Sequence, residues 1–330
     1  FLEIKKTGDI KVKKLVNFII PYFGSFPNYF QLFLNSCKFN KDFNWTIITD
    51  NKQTYNYPEN VSVVYTTLKE TRKKIEEKLG FNVALEKPYK FCDLKPSFGY
   101  LFSEYLEGYM FWGYCDVDLI LGDLSSFITS DLLSEYDKLF TLGHMTLIKN
   151  TQECNELFMS RINGEEYYKK VFTSELSFNF DEIFRDKINI NDIFLEHGKK
   201  IYTKSNYADI YTKSSNFLLD CDTKAEKKVS NFFVWHNGKI IRKYYENKTI
   251  KTSEYIYIHL QKRPMVMKKG VENSEIIKII PNSFEPLEID YSEIDKNFWK
   301  IKKKHINAQY FRIRYNNLKK KIHMYFRKDK

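Results

Sequence analysis

Two carboxylates two residues apart, Asp116 and Asp118, sit inside the run "FWGYCDVDLILGDL" (Phe111 to Leu124). Acids beside so apolar a stretch cost free energy unless a cation, a basic side chain or solvent compensates them. The run reads as a buried strand, and side chains two apart on a strand project to the same side. Two close carboxylates at an open rim suit a hard divalent cation such as Mg2+ or Mn2+, which keeps coordination positions for phosphate oxygens. Such a cation neutralises charge developing on a diphosphate leaving group. The D-x-D spacing is common by itself, and solvated loop acids or helix caps produce it equally well.

Strands and helices alternate on the way to this pair. "LVNFIIPYF" (Leu15 to Phe23) is an apolar run ended by Pro21, followed by the helical pattern "PNYFQLFLNSCKF". "NWTIITD" is a second buried strand ending in Asp50, and "VSVVYTT" is a third, before the charged helix "LKETRKKIEEKLG" that Gly80 stops. "CDLKPSFGYLFSEYLEGY" reads as one helix with Pro96 in its first turn, delivering the chain into "MFWGYCDVDLI". This alternation predicts a largely parallel sheet with flanking helices, whose ligands bind beyond the carboxyl ends of the strands. Asp50 and the Asp116/Asp118 pair are expected on that rim.

The second half is less regular. "KLFTLGHMTLIKN" reads as one or two strands, and "TQECNELFMSRI" and "INDIFLEHGKKI" as helices. "NFFVWHNGKIIRKYYENKTIKTSEYIYIHLQ" reads as a hairpin turning at Asn237-Gly238. There is no internal repeat and no low-complexity linker, which points to one catalytic domain over 1–290 and a helical appendage over 291–330.

Hydrophobic residues make up 43% and aromatics 17% of the 330 residues, so the chain can bury a substantial core. No apolar run approaches the roughly 20 residues that span a bilayer. The start carries no signal-peptide pattern, and Phe1 suggests that the natural N-terminus is missing. Cys37, Cys92, Cys115, Cys154 and Cys221 are odd in number, scattered and without a CxxC pair, the usage of reduced thiols in a cytosolic compartment. The net charge of +11 invites a nucleic-acid reading, but residues 296–330 alone hold 13 Lys+Arg against one acid, Asp329. The first 295 residues carry 40 Lys+Arg against 41 Asp+Glu, so the excess is confined to the tail.

Taken together, "IIPYFGSFPNYFQLFLNSC", "NWTIITDN", "EKPYKFCDLKPSFGYLF", "FWGYCDVDLILGDL", "TLGHMTLIKN" and "IHLQKRPM" resemble the GT-A superfamily of nucleotide-sugar-dependent glycosyltransferases. The likeness is nearest to an uncharacterised bacterial branch found among surface-polysaccharide proteins. It implies an α/β fold, a Rossmann-like, mostly parallel central sheet with flanking helices, here followed by a basic amphipathic helical appendage. It also implies a metal-binding DxD at Asp116 and Asp118 with Mn2+ or Mg2+ as cofactor.

The resemblance assigns further positions. Pro21, Tyr22 and Phe23 would seat the nucleotide base, although core packing also accounts for such aromatics. Asp50 would lie near base or ribose, or be a turn acid. "CDLKP" resembles the segment whose acid and base approach nucleotide and sugar, which maps to Asp93 and Lys95, with Lys90 beside them. Many metal-dependent relatives complete the metal site with a late His followed by a Lys that reaches the diphosphate. His259 with Lys262 and Arg263 follows that order, at a shorter spacing than in the family-8 enzymes, and a strand-end His is as often a hydrogen-bonded surface residue. Asp181 or Glu182 of "FNFDEIF" would face the acceptor as base in an inverting enzyme, or stabilise the oxocarbenium-like state in a retaining one. The helix dipole equally favours acids there. His144 would touch sugar or acceptor, or be a core histidine, and Asp209 of "NYADIY" is a further acid of the same kind.

In the tail, Ile294, Phe298, Ile301, His305, Ala308, Phe311, Tyr315, Leu318, Ile322 and Tyr325 recur every three or four residues, a continuous helical stripe. Lys300, Lys302, Lys303, Lys304, Arg314, Lys319, Lys320 and Lys321 lie opposite. A basic amphipathic helix of this kind suits an anionic membrane surface, and a helix packed back on the domain is the competing reading. No nucleic-acid module accompanies it.

The expectation is a transferase held peripherally at the cytoplasmic face of the cell membrane. It would move a hexose from a nucleotide diphosphate sugar, UDP-sugar favoured, to a hydroxyl of a glycan or lipid-linked oligosaccharide. A sugar nucleotidyltransferase shares the acid–metal chemistry but usually carries a Gly-rich basic loop after the first strand, and "PYFGSFPNYF" has one Gly and no basic residue. A non-catalytic membrane-bound glycan-binding or scaffold protein with a degenerate donor site is the other alternative.

Overall fold

The apolar run at Lys14–Pro21 forms a strand buried along most of its length, and the chain builds a mixed α/β structure around it and a second set of strands. The computed structural model describes residues 2–4, 10–12, 14–162, 164–204, 206–211, 214–219, 229–303, 306 and 308–327. Cys221, Lys304 and His305 lie outside the described residues, as does the side chain of Tyr325. The chain forms two compact units: one from 1–26, 40–116 and 128–205, the other from 27–39, 117–127 and 206–330.

In the first unit, β1 (Leu2–Ile4) and β2 (Ile10–Val12) pair antiparallel. The main sheet contains β3 (Lys14–Pro21), β4 (Phe43–Thr49), β5 (Val61–Tyr65) and β6 (Tyr109–Cys115). In the second unit, β7 (Leu119–Leu121) follows at once. The main sheet then takes in β8 (Lys138–Leu142), β9 (Met145–Lys149) and β10 (Ile201–Tyr202). Its order is β10-β8-β9-β6-β3-β4-β5. The strands β6, β3, β4 and β5 are mutually parallel, as the βα alternation predicts. The expected largely parallel sheet stops there, because β9 runs antiparallel to both β6 and β8. The reason is local: Gly143-His144 permits a two-residue reversal between β8 and β9, so no helical crossover is needed to turn the chain.

Helices cover this sheet. The helix Leu68–Leu79 begins at a capping box of Thr67 and Glu70 and ends at Gly80 in the left-handed region (φ 77°). The single helix expected over "CDLKPSFGYLFSEYLEGY" is instead a chain of single turns, Phe91–Leu94, Lys95–Ser97, Phe98–Leu101 and Ser103–Tyr105. Pro96 contributes no N–H, so the ladder breaks there although Lys95 itself keeps helical backbone. Gly99 lets this segment press on β6, since a Cβ would lie 2.4 Å from the Trp112 ring. Phe91, Phe98, Trp112, Tyr114, Phe158, Phe172 and Phe180 belong to one buried cluster of this unit.

In the second unit β11 (Ala208–Asp209), β15 (Tyr257–His259) and β7 form a three-stranded sheet in the order β11-β15-β7. The expected hairpin is the start of a larger six-stranded sheet. It comprises β12 (Ser230–His236), β13 (Lys239–Glu246), β14 (Thr249–Tyr255), β16 (Val266–Met267), β17 (Ile276–Ile280) and β18 (Ser283–Pro286). Asn237-Gly238 and Asn247-Lys248 both adopt positive φ, the backbone that tight hairpin turns require.

The continuous stripe expected in the tail is divided. Ile294, Phe298 and Ile301 are buried against Phe232, Val234, Ile276 and Ile280, and so belong to the core of the unit. A separate helix, Ala308–Arg327, exposes Phe311, Tyr315, Leu318 and Ile322. No described helix is long and apolar enough to cross a membrane.

Candidate active site

The carboxyl ends of β3, β4 and β6 place three of the predicted positions on one rim of the first unit. Pro21 ends β3, and the Tyr22 amide continues the pairing by donating to the Ile48 carbonyl at 2.8 Å. Tyr22 stacks on Phe26 at 4.8 Å between ring centres, while Phe23 is buried against Phe91. Gly24 turns at φ 103°, and its amide donates to Asp50 at 2.8 Å. Asp50 therefore holds the loop after β3 in the manner of a turn acid.

Asp116 follows β6, whose last residue is Cys115. Val117 and Asp118 form a turn, so strand alternation does not fix the direction of the two carboxylates, contrary to the expectation from spacing. Asp116 is partly exposed, and its Oδ1 accepts from Lys95 Nζ at 2.9 Å. The same ammonium donates to the Gly143 carbonyl at 2.7 Å and lies 3.4 Å from Asp181 Oδ2. Burial works against the Lys95 charge, yet Asp116, Cys92 and Asp181 outweigh it and hold the ammonium well above its ordinary range. Asp181 is buried, and desolvation pushes its carboxyl up to about 7, against the opposing pull of Lys95 and with help from Glu182 and Asp116.

Gly143 is the hub of this cluster. Its carbonyl receives Lys95, its amide donates to Glu182 Oε2 at 3.2 Å, and a Cβ there would stand 2.2 Å from Asp181 Oδ2. Asn179 donates to the other Glu182 oxygen at 3.2 Å. Tyr114 passes its hydroxyl to the Asp181 carbonyl at 3.1 Å, and its ring lies under the Lys95 ammonium at 5.5 Å. His144 is buried beside the hub, its carbonyl accepting the Asp116 amide at 3.0 Å. Lys95, Asp116, His144, Asp181 and Glu182 are thus brought together.

Lys90 and Asp93 do a different job. They form a buried ion pair at 2.8 Å, and Asp93 also accepts the Phe178 and Phe180 amides. Lys90 donates to the Leu176 carbonyl at 2.7 Å. The pair pins the segment that leads into Asp181 and Glu182. A further buried lysine, Lys138, donates to Asn191 and to the Phe140 carbonyl, and burial lowers its ammonium to about 7.

The second unit contains its own cluster. The Asp118 side chain is buried; its Oδ2 accepts the Lys262 amide, and its Oδ1 lies 3.6 Å from His259 Nε2. Adjacent ligands of an ion bound at about 2.1 Å stand about 3 Å apart. The 3.6 Å between the Asp118 carboxylate and the His259 imidazole is wider than that, so a divalent cation held by both would draw them together. Arg263 is turned into the interior of the unit, donating to Asn282 at 3.0 Å and to the Ser214 carbonyl at 2.7 Å. Desolvation lowers its guanidinium to about 10. Of the two cations after His259, Arg263 is committed to packing.

Sequence reasoning missed Gly143 and Gln261, and it gave Asp209 no partner. The signal for Gly143 was its place in a "LGHM" reversal between two apolar runs. Gln261 and the pairing of Asp209 with His259 had no signal, since neither spacing nor pattern relates residues about 50 apart.

Among solved structures, the galactosyltransferase LgtC in complex with donor and acceptor sugar analogs is similar at 11% identity and a TM-score of 0.33. The match covers 59% of this chain and 75% of that one, and at this score it carries no argument. No curated protein matches the chain. The family model described as "Family of unknown function (DUF6625)" matches residues 18–288, most of the chain, and the protein belongs to that family.

Proposed function

We propose that the chain is a metal-dependent glycosyltransferase that moves a hexose from a nucleotide diphosphate sugar, UDP-sugar favoured, to an acceptor hydroxyl. The observation that carries the reading is the Lys95, Asp116, Asp181 and Glu182 cluster at the carboxyl rim of parallel strands, where such sheets bind ligands. Asp116, Asp118 and His259 are the proposed metal ligands. A bound Mn2+ or Mg2+ would offset charge on the departing nucleotide diphosphate.

This chain's own residues have separable roles in the proposal. Tyr22 seats the base beside Asp50, and Phe23 supports that loop from the core through its packing on Phe91. Lys95 holds Asp116 and Asp181 in place, and Lys90 with Asp93 keeps the acidic segment positioned. Glu182, less buried than Asp181, faces the acceptor hydroxyl, and His144 borders the sugar. Lys262 is the cation nearest in sequence to His259, and it assists the diphosphate. The acceptor is proposed to be a surface glycan or lipid-linked oligosaccharide at the inner face of the membrane. There the exposed helix Ala308–Arg327, not the buried residues before it, meets anionic lipid.

One observation favours a second reading. Lys95 already compensates Asp116 at 2.9 Å, as it would in a glycan-binding protein with a degenerate donor site. Calorimetry of UDP- and GDP-sugars with Mn2+, with EDTA and with Asp118→Asn separates the two. Binding that survives both EDTA and the substitution refutes the metal-dependent reading. Metal-dependent binding without donor hydrolysis or transfer leaves the binding protein.

A further inference from the structure

The three-stranded sheet of the second unit sets His259 directly opposite Asp209, in register on the parallel strands β15 and β11. His259 Nδ1 lies 2.9 Å from Asp209 Oδ1. An ionised carboxylate only accepts hydrogen bonds, so the imidazole nitrogen must donate. In the neutral ring the proton is then on Nδ1, and Nε2 presents its lone pair. That lone pair faces Asp118 Oδ1 at 3.6 Å, beyond hydrogen-bonding distance. In the neutral ring two acceptors thus face each other, a repulsion that a cation between them or protonation of the ring relieves.

The turn after β15 completes the arrangement. Gln261 and Lys262 both adopt left-handed backbone (φ 49° and 56°), which non-glycine residues enter at a cost. Gln261 Nε2 donates to Asp209 Oδ1 at 2.6 Å, and the Lys262 amide donates to Asp118 Oδ2. One strand and its strained turn therefore tie both acids to the histidine between them.

We infer that Asp209 is a positioning residue for His259, held in turn by Gln261, and that it fixes the Nδ1–H tautomer with Nε2 directed at the Asp118 side. Its purpose rests on the proposed metal site, since a carboxylate behind a ligating histidine orients the ring and raises its basicity. The tautomer itself does not depend on that reading.

The test uses the full chain, labelled with 15N at histidine, chelator-treated, and held well above the ordinary imidazole pKa of about 6.5. Two-bond 1H–15N correlation spectra identify His259 by its loss in His259→Gln. The wild type should show protonated Nδ1 and unprotonated Nε2, and Asp209→Ala should let the two tautomers mix, with Gln261→Ala moving the same way. A second arm follows the electron-paramagnetic signal of free Mn2+, where Asp209→Ala should weaken binding about 10- to 100-fold. A wild-type spectrum with the proton on Nε2 overturns the inference even if no variant folds, and so does an unchanged tautomer in Asp209→Ala. Normal Mn2+ affinity in Asp209→Ala with a changed tautomer overturns its role toward the metal. Absence of Mn2+ binding in the wild type, with the expected tautomer, sinks the metal reading and leaves the positioning of His259 standing.

Discussion

Replacing Asp181 by Asn should stabilise the protein, and increasingly so as pH rises. The folded-state carboxyl is pushed from 3.8 up to about 7, chiefly by burial. A carboxyl raised on folding binds its proton more tightly in the native state. Its contribution is therefore fully present below about pH 4 and is lost as pH climbs to about 7. At about 1.4 kcal/mol for each pH unit, the gap between 3.8 and about 7 comes to about 4 kcal/mol. Asn has nearly the same shape as the protonated acid and does not titrate. Wild type and Asp181→Asn should thus be close in stability near pH 4 and diverge above it, the variant gaining up to about 4 kcal/mol by pH 8. Urea unfolding across that range is the assay. Fluorescence of Trp45 and Trp112, both fully buried in the same unit, serves as reporter in a Trp235→Phe/Trp299→Phe background. A stability difference that stays constant with pH, or grows in favour of the wild type, refutes the assignment of a buried, proton-holding Asp181.

Other outcomes follow from the same contacts. Gly143→Ala places a methyl group 2.2 Å from Asp181 Oδ2, so it should cost about 1–3 kcal/mol and displace the carboxylate from Lys95, visible as an altered pH dependence of stability. Asp93→Ala strands a buried Lys90 charge and the Phe178 and Phe180 amides; a loss of about 3–5 kcal/mol is expected, and a loss under 1 kcal/mol would count against its anchoring role. Ending the chain after residue 306 should leave the melting temperature nearly unchanged and abolish binding to phosphatidylglycerol vesicles. Ending it after residue 295 removes the buried Phe298 and Ile301 and should destabilise the protein by several kcal/mol, which a thermal melt of the two truncations compares directly.

The apolar runs and their punctuation were enough to place β3, β4, β5 and β6 and the helix Leu68–Leu79, because the burial of β3, β4 and β6 on both faces, the β-branched run of the half-exposed β5 and a capping box are written in consecutive residues. The strand ends at Pro21 and beside Asp50 were legible for the same reason, whereas the direction of the D-x-D carboxylates was not, since Val117 and Asp118 form a turn. Where local pattern competes with long-range packing, it misled. The turns around Pro96 read as one helix, and the tail stripe read as one surface although Phe298 and Ile301 belong to a core.

From sequence alone come the positions of most acids and bases in the candidate site, the apolar segments that carry them and the confinement of excess charge to the last 35 residues. Only tertiary structure decides how those charges are compensated. Lys95 meets Asp116 across 21 residues, Asp93 meets the Phe178 amide across 85, and His259 meets Asp209 across 50. The last depends on which strands lie side by side, and the first two on which turns and loops are packed together. Strand order and register are set by burying the apolar faces of the whole sheet at once, so no window of sequence contains them.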